Sequence, residues 1–488
     1  MDASTLKDQL FLVEVKETSS RKRTLSSKGK TFRSNDPTQQ FLLPPSIDEW
    51  LPQDDEARFI SEVVDELLDL SEIYSSYEVA DGAPPYDPKM MLKIIIYGYS
   101  IGVTSSREIE RRCHRDIAFR FLSVNQTPDY RSVARFRRRH MGAFDNLFIQ
   151  VLALCGEAGL VKLGRVALDG TKLRASASRH KAMSYDHLGP RIADIEAQVA
   201  LILAEAEATD RQEDAIFGED RRGDELPPEL ASRETRLAKL RAAKEAIESD
   251  AKNKAADKAR EKAQTARLDD KEVEKAAIQA SQTAIPDKRA QRSFTDPDSR
   301  MMKTNHGFSY AYNAQPVVDE KSQVIIAADI TQAANDVGQL LPMIARMADV
   351  LDAAGIDGQP VTLLADAGYC SAENLQQIAQ AKINALIATG RLKHNERVPN
   401  APRGPIPKAL SDKERMARRL RTKPGRRDYA RRKAIVEPAF GQMKVRQNAG
   451  QLRLRGLAGA KGEWILHSLC HNLRKLANAG AVIAPSLG

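Results

Sequence analysis

Cysteine is scarce in this 488-residue chain: Cys113, Cys155, Cys370 and Cys470 are far apart and form no CxxC pair. That excludes a disulfide framework and a thiolate zinc cage, and suits reduced thiols. His467 and His471 stand four apart beside Cys470. No third and fourth ligands match them, so they read as polar positions on a helix. Aromatic residues are also few, at 5%, and no apolar run is long enough to span a bilayer. The best, Met90 to Val103, is short and carries Lys93. The start, Met1-Asp2-Ala3-Ser4, lacks the basic and apolar regions of a secretory signal. The expectation is a soluble, cytoplasmic protein with no membrane partner.

Charge is plentiful but unevenly placed. The apolar share of 42% allows sizeable cores, and the length suits several domains. The net charge is +9, yet the 43 residues from Arg391 to Lys433 hold sixteen Lys or Arg against four Asp or Glu. A stripe this dense suits a polyphosphate partner, whose binding is driven by counterion release. Arg426 and Arg427 are candidate contacts within it.

Along the chain, residues 1–40 are polar and carry Arg21-Lys22-Arg23, which reads as a mobile basic arm. Residues 41–160 have helical patterning: Asp55 to Leu70, Pro88 to Val103, Ser106 to about Leu122, then a helix opened by Thr127-Pro128-Asp129. The last is rich in arginine, including Arg135 and Arg138. A helix pair with a short break and a basic second member outlines a helix-turn-helix reader of DNA. Residues 181–300 are rich in Ala, Glu, Lys and Arg. Ile192, Ile195, Val199 and Ile202 form one apolar seam, and Leu230, Leu237, Leu240 and Ile247 another. This predicts an antiparallel helical hairpin or coiled coil inserted into a domain.

Strand signals flank that insertion. Gly164 to Asp169 reads as a buried strand ending in an acid, and strands are expected over Phe308–Ala314, Ser322–Thr331, Val361–Asp366 and Asn384–Ala388. Helices are expected over Gly338–Ala353, Ser371–Gln380, Arg431–Val445 and Trp464–Ala477, with Pro438 either kinking the third or marking its start. Together these give an α/β domain with a mixed sheet, assembled from residues 161–180 and 301–478, and residues 391–430 form a basic linker within it. Asp169 and Asp366 each end an apolar strand. A carboxylate there projects into the crevice at the sheet's carboxyl edge, and two converging anions need a cation between them. Oxygen ligands without thiol or imidazole select Mg²⁺ or Mn²⁺. Glu437, on a helix, is a candidate third carboxylate.

Asp169-Gly170-Thr171-Lys172, Asp366-Ala367-Gly368-Tyr369 and Lys433…Glu437…Phe440…Lys444 resemble the three acidic motifs of DDE transposases. The branch they resemble is the IS-eleven-eighty-two group of bacterial insertion sequences. Gly307-Phe308…Tyr312-Asn313-Ala314-Gln315, Asn335-Asp336 and Pro128-Asp129-Tyr130…Phe136-Arg137 match it too. The resemblance implies an RNase H-like catalytic domain with an all-helical N-terminal domain. It implies that Asp169, Asp366 and Glu437 hold two Mg²⁺ or Mn²⁺ ions, with Asp169 bridging both. The implied reaction is cleavage of double-stranded DNA at the element's terminal inverted repeats and strand transfer into target DNA. A homodimer or larger assembly at the bacterial nucleoid is also implied. Related enzymes carry a Tyr-x2-Arg-x3-Glu-x6-Lys signature. Lys444 fits it, Lys433 holds the arginine position, and Tyr429 falls one residue early. Lys444, Lys433 and Arg432 are accordingly DNA-binding candidates.

Three rivals stand beside this reading. Leu168-Asp169-Gly170-Thr171 resembles part of a haloacid-dehalogenase motif, but Ala167 occupies the nucleophile position. A catalytically silent transposase-derived DNA-binding protein, and an RNase H-like nuclease without strand transfer, are the others.

Overall fold

The computed structural model describes residues 46–77, 85–177, 182–217, 228–266, 268–304, 307–390, 400–404, 407 and 409–480. The basic arm, the loop with Gly218 and Gly223, and residues 391–399 of the basic linker lie outside these, as do the side chains of Ile202 and Leu230. Every element below belongs to the compact unit that begins at Ile47.

The N-terminal part is helical, and short acidic or hydroxyl side chains set its boundaries. Helix α1 (Ile47–Trp50) precedes α2 (Glu56–Glu62), whose first turn is capped by Asp55 and which runs into a π-helical turn over Val63–Leu67. After α3 (Ser71–Ser75), Asp87 caps α4 (Pro88–Ser100) with proline in its first turn, where no N–H is missed. The segment from Ser106 folds as two helices, α5 (Ser106–Arg115) and α6 (Ile117–Leu122). Asp116 divides them, because its extended backbone ends one while its carboxylate accepts from Ala118 and Phe119 N–H to start the next. Asp129 caps α7 (Tyr130–Arg139) in the same way, and α8 (Ala143–Glu157) follows.

Strand β1 (Arg165–Leu168) leads through Asp169-Gly170 into β2 (Thr171–Arg174). A short β3 (Ala182–Ser184) then opens onto three helices, α9 (Tyr185–Phe217), α10 (Pro228–Thr265) and α11 (Asp270–Gln282). Leu188, Ile192 and Ile195 bury against Leu237, Leu240 and Ile247, so the two apolar seams do meet. Tyr185 bonds Glu248 and Arg241 bonds Glu196, which fixes α9 and α10 as antiparallel. The third helix packs back on α10, with Arg260 paired to Glu274. β4 (Gln291–Ser293) returns to pair with β3 and closes the base of this region.

The main sheet follows from a long central strand. β5 (Arg300–Thr304) turns into β6 (Gly307–Asp319), and β7 (Ile325–Thr331) returns along it. Helix α12 (Leu340–Ala353) packs on β7. Then come β8 (Thr362–Ala365), α13 (Ala372–Gln380) and β9 (Ala385–Ile387). Across the sheet the order is β7, β6, β1, β8, β9: antiparallel from β7 to β1, parallel from β1 to β9. β2 extends β1 along the same edge of β6, and β5 extends β7 along the other.

Within the basic stretch, Ser411 and Glu414 form a reciprocal cap on α14 (Asp412–Arg421). Helix α15 (Lys423–Val445) starts eight residues before the Arg431 read from sequence, and passes through Pro438 as one element. Helix α16 (Leu457–Asn478) is buried along nearly its whole length, packed on α4, α8 and β7. It ties the helical part to the sheet through one polar cluster. Tyr99 donates to Glu463 at 3.0 Å and accepts from Arg137 at 2.7 Å, while the other Glu463 oxygen takes the N–H groups of Arg453 and Leu454. His467 and His471 lie in this core, and burial pushes them down to about 3 and about 4, so both are neutral packing groups. Among the described residues, no helix is long and apolar enough to cross a membrane.

Candidate active site

The register of two parallel strands places the aspartates. Leu168 of β1 pairs with Ala365 of β8, so Asp169 and Asp366, the next residues on each, leave the sheet side by side at its carboxyl edge. All four β8 residues and the last three of β1 are buried, and all but Thr362 are apolar. The charge therefore begins where the hydrophobic strand stops. Each carboxylate is then fixed by its own turn: Gly170 N–H donates to Asp169 Oδ1 at 2.9 Å, and Gly368 N–H to Asp366 Oδ1 at 2.7 Å.

Burial raises the Asp169 pKa above the ordinary carboxylate value. The Arg432 guanidinium opposes that shift, and the neighbouring Asp366 charge adds to it. Arg432 Nη1 donates to Asp169 Oδ2 at 2.7 Å. Burial pulls its own pKa down most strongly, but the Asp169 charge and hydrogen bond, with Tyr429 and Asp366, together leave it raised. The site thus calls for positive charge at Asp169. A divalent cation meets the same demand, with oxygen donors and no thiol or imidazole among them. The donor set fits Mg²⁺ or Mn²⁺.

A cleft of about 460 Å³ opens here, lined by Asp169, Asp366 and Asp336 together with Lys172, Arg174, Lys303 and Lys444. Asp336 was not singled out as a site residue, although Asn335-Asp336 was visible as a motif. Its Oδ1 accepts from Lys172 at 3.2 Å, Asn313 at 2.6 Å and Gln315 at 2.9 Å. Those donors come from β2 and β6, so Asp336 is a hub that pins the sheet beneath the two aspartates. Lys172 is in the first acidic motif but was given no role there, and Arg174 and Lys303 were missed; all three are ordinary strand residues until tertiary pairing puts them around one cleft.

Lys444 of α15 lines the cleft. Its Nζ donates to Thr171 Oγ1 and sits 5.4 Å from the Phe440 ring centre. Burial lowers its pKa and the Asp169 charge opposes this. Glu437 is placed differently. It is exposed on α15, outside the cleft lining, one turn and a fraction past Arg432. Among the described residues, no three acidic, histidine or cysteine side chains stand close enough to form a ready-made metal cage. Glu437 shares the Lys444 strip, with about 20° of drift over seven residues. Arg432 and Lys444, which bracket it along the helix, both reach the β1–β2 turn.

The other cationic candidates are spread out. Lys433, Arg426 and Arg427 are exposed on α15, and Arg427 Nε donates to Asp428. Although Lys433 holds the arginine position of the signature, Arg432 is the residue that meets Asp169, because it lies on the inward face of α15. Arg135 and Arg138 are exposed on α7 with Arg131, at helical spacing on one face, while Arg137 points into the core. Arg107 of α5 stacks over Tyr130 at 4.8 Å, which joins the exposed faces of the two helices.

Two family models match the chain, and together they span more than half of it. Residues 45–139 match Transposase domain (DUF772), and residues 280–473 match Transposase DDE domain. The first match includes Arg135 and Arg138; the second includes Asp366 and Glu437 and begins beyond Asp169. No curated protein and no solved structure matches the chain. A helical region matched to one transposase model, and a mixed sheet with a carboxylate cleft at its edge matched to another, make this chain a member of the DDE transposases of insertion sequences.

Proposed function

We propose that the protein cuts double-stranded DNA at the ends of its element and joins those ends to target DNA, with Asp169, Asp366 and Glu437 holding two Mg²⁺ or Mn²⁺ ions. One observation carries the reading: two aspartates emerge together from adjacent parallel strands, and one of them is already neutralised by a cation. The strand order β7-β6-β1-β8-β9, with its antiparallel start, supports an RNase H-like catalytic domain built from residues 161–180 and 301–478. Residues 181–300 are then a helical insertion, and residues 41–160 the DNA-binding domain.

In this reading the bound ions supply Lewis acidity and a water of lowered pKa. Asp169 would hold both ions, with the carboxylate whose Oδ2 accepts from Arg432. Asp366 is held for its share by the Gly368 N–H. Glu437, on the α15 strip, would be the third ligand. Lys444, fixed on Thr171, holds a phosphate beside the reacting one. Lys433, Arg426 and Arg427 of α15 continue the phosphate track, while Arg135 and Arg138 of α7 engage the element's end. Bringing two ends together requires at least a dimer during reaction.

The decisive experiment replaces one ligand. Asp169→Asn retains binding to the element's end and loses Mg²⁺-dependent cleavage; nicking at the unmodified rate refutes the assignment. A catalytically silent DNA-binding role is the second reading, favoured by the exposed position of Glu437 outside the cleft. Absence of cleavage by the unmodified protein on its own element ends, at full DNA affinity, selects that reading.

A further inference from the structure

The Gly307-Phe308 motif has no part in the chemistry above, yet its two residues pair with Thr304 and Lys303, which line the same cleft. Among the described strands, the first residues of β6, Gly307 to Ser309, pair with β5 alone; β2 pairs from Ala311 and β7 from Asn313. This end of the hairpin is a two-stranded ribbon running past the sheet. Lys303 and Thr304 on it line the cleft. Phe308 is directly opposite Lys303 in the pairing, so the two side chains stand on one face about 5 Å apart at Cβ. Phe308 is 61% exposed and Met301, on the same face, 36%. An isolated ribbon gains nothing from an aromatic ring left in water, and burial is what such a ring offers.

We propose that Phe308 is a stacking platform for a nucleobase of the DNA strand whose phosphates run through the cleft, with Lys303 holding the adjoining phosphate. This rests on the reading of the cleft as the seat of a DNA strand. Charge selects the occupant. Arg432 meets Asp169 and Lys172 meets Asp336, while Arg174 and Lys303 are exposed cations turned to the same cleft. A polyanion with flat apolar faces satisfies both the cations and the ring. Stacking on an aromatic side chain tolerates any base, so the platform serves unpaired nucleotides beside the cut and carries no sequence preference.

The test uses the full chain carrying Asp169→Asn, in Mg²⁺-free buffer. The probe is a duplex with a short single-stranded overhang containing a fluorescent purine analogue, compared with the blunt duplex. Phe308→Ala is expected to weaken overhang binding roughly tenfold, leave blunt-duplex binding unchanged and abolish quenching of the purine. Phe308→Trp restores both. Lys303→Ala weakens both DNAs and lowers the slope of log affinity against log salt by about 1. Wild-type overhang affinity and quenching in Phe308→Ala overturn the stacking role alone. If Arg174→Ala and Lys444→Ala also leave every affinity unchanged, the cleft is not a DNA seat and the reading beneath it fails. The Phe308 side chain is mostly in water, so its variants keep the unmodified melting temperature.

Discussion

Arg432 donates from Nη1 to Oδ2 of Asp169 at 2.7 Å, across 263 positions of chain. The guanidinium holds the oxygen that a cation would take, so the two compete. Arg432→Gln is expected to bind Mn²⁺ several-fold more tightly in the absence of DNA, read by calorimetry or by the Mn²⁺ spin signal. Its cleavage rate should nevertheless fall at least tenfold, because the strand has lost a phosphate partner. Unchanged Mn²⁺ affinity would show that the ion pair does not restrain the site.

Glu437 gives a clean separation of chemistry from folding. Its side chain is exposed, and surface substitutions of that kind change stability by about 0.5 kcal/mol or less. Glu437→Gln should therefore melt with the unmodified protein while cleavage falls by two orders of magnitude or more, as expected on losing one of three ligands. Retained cleavage in a nicking assay would place the third ligand elsewhere, with Asp336 the first alternative.

Gly170 is required by close approach. A Cβ there would meet Asp336 Oδ1 at 2.6 Å and Gln315 Nε2 at 2.7 Å. Gly170→Ala must push the Asp169 turn away from its hub, at a cost of about 1–3 kcal/mol in overpacking. Denaturant melts and cleavage should both register it, with activity falling more than stability alone would predict. An unaffected rate would show that the turn has room to spare.

The Glu463 cluster makes a pH prediction of definite sign. Burial raises its pKa above the ordinary 4.5, against the pull of Arg137 and the Arg453 and Leu454 N–H groups. A carboxyl whose folded pKa lies above its unfolded one binds more protons when folded, so its contribution to stability falls as pH rises from 4.5 through the folded value. Glu463→Gln removes that slope. The stability of the unmodified protein relative to the variant should therefore decline with rising pH across that window in urea titrations. A pH-independent difference would mean that Glu463 titrates normally.

Much of the sheet was legible because burial writes a plain pattern. The runs before Asp169 and Asp366 are apolar on both faces, as strands covered by helices must be, and their boundaries came out within a residue or two. The seams of α9 and α10 were readable for the same reason. What escaped was short or conditional: β2, β3, β4 and β5 have three to five residues each and owe their form to a partner strand. The start of α15 was missed because Thr422 and Pro424 look like a break, whereas together they cap and open the helix. Asp116 divides α5 from α6 by a cap that periodicity alone does not reveal.

The candidate site divides along the same line. Asp169, Asp366 and Lys444 were identifiable one by one, since a strand-end acid and a helix spacing are local features. Asp336 and Lys172 were visible only as members of motifs and Lys303 not at all, because nothing local distinguishes a hub carboxylate or a cleft lysine from a surface one.

By itself the sequence determined the family, the acidic motifs, the helical and stranded regions and the concentration of positive charge, all of which depend on residues near one another in the chain. Only the tertiary structure decided that Arg432, not Lys433, neutralises Asp169, that Asp336 braces the turns beside it, and that Glu437 stands outside the cleft. Those outcomes turn on helix rotation and strand register, where a shift of one residue exchanges inside for outside.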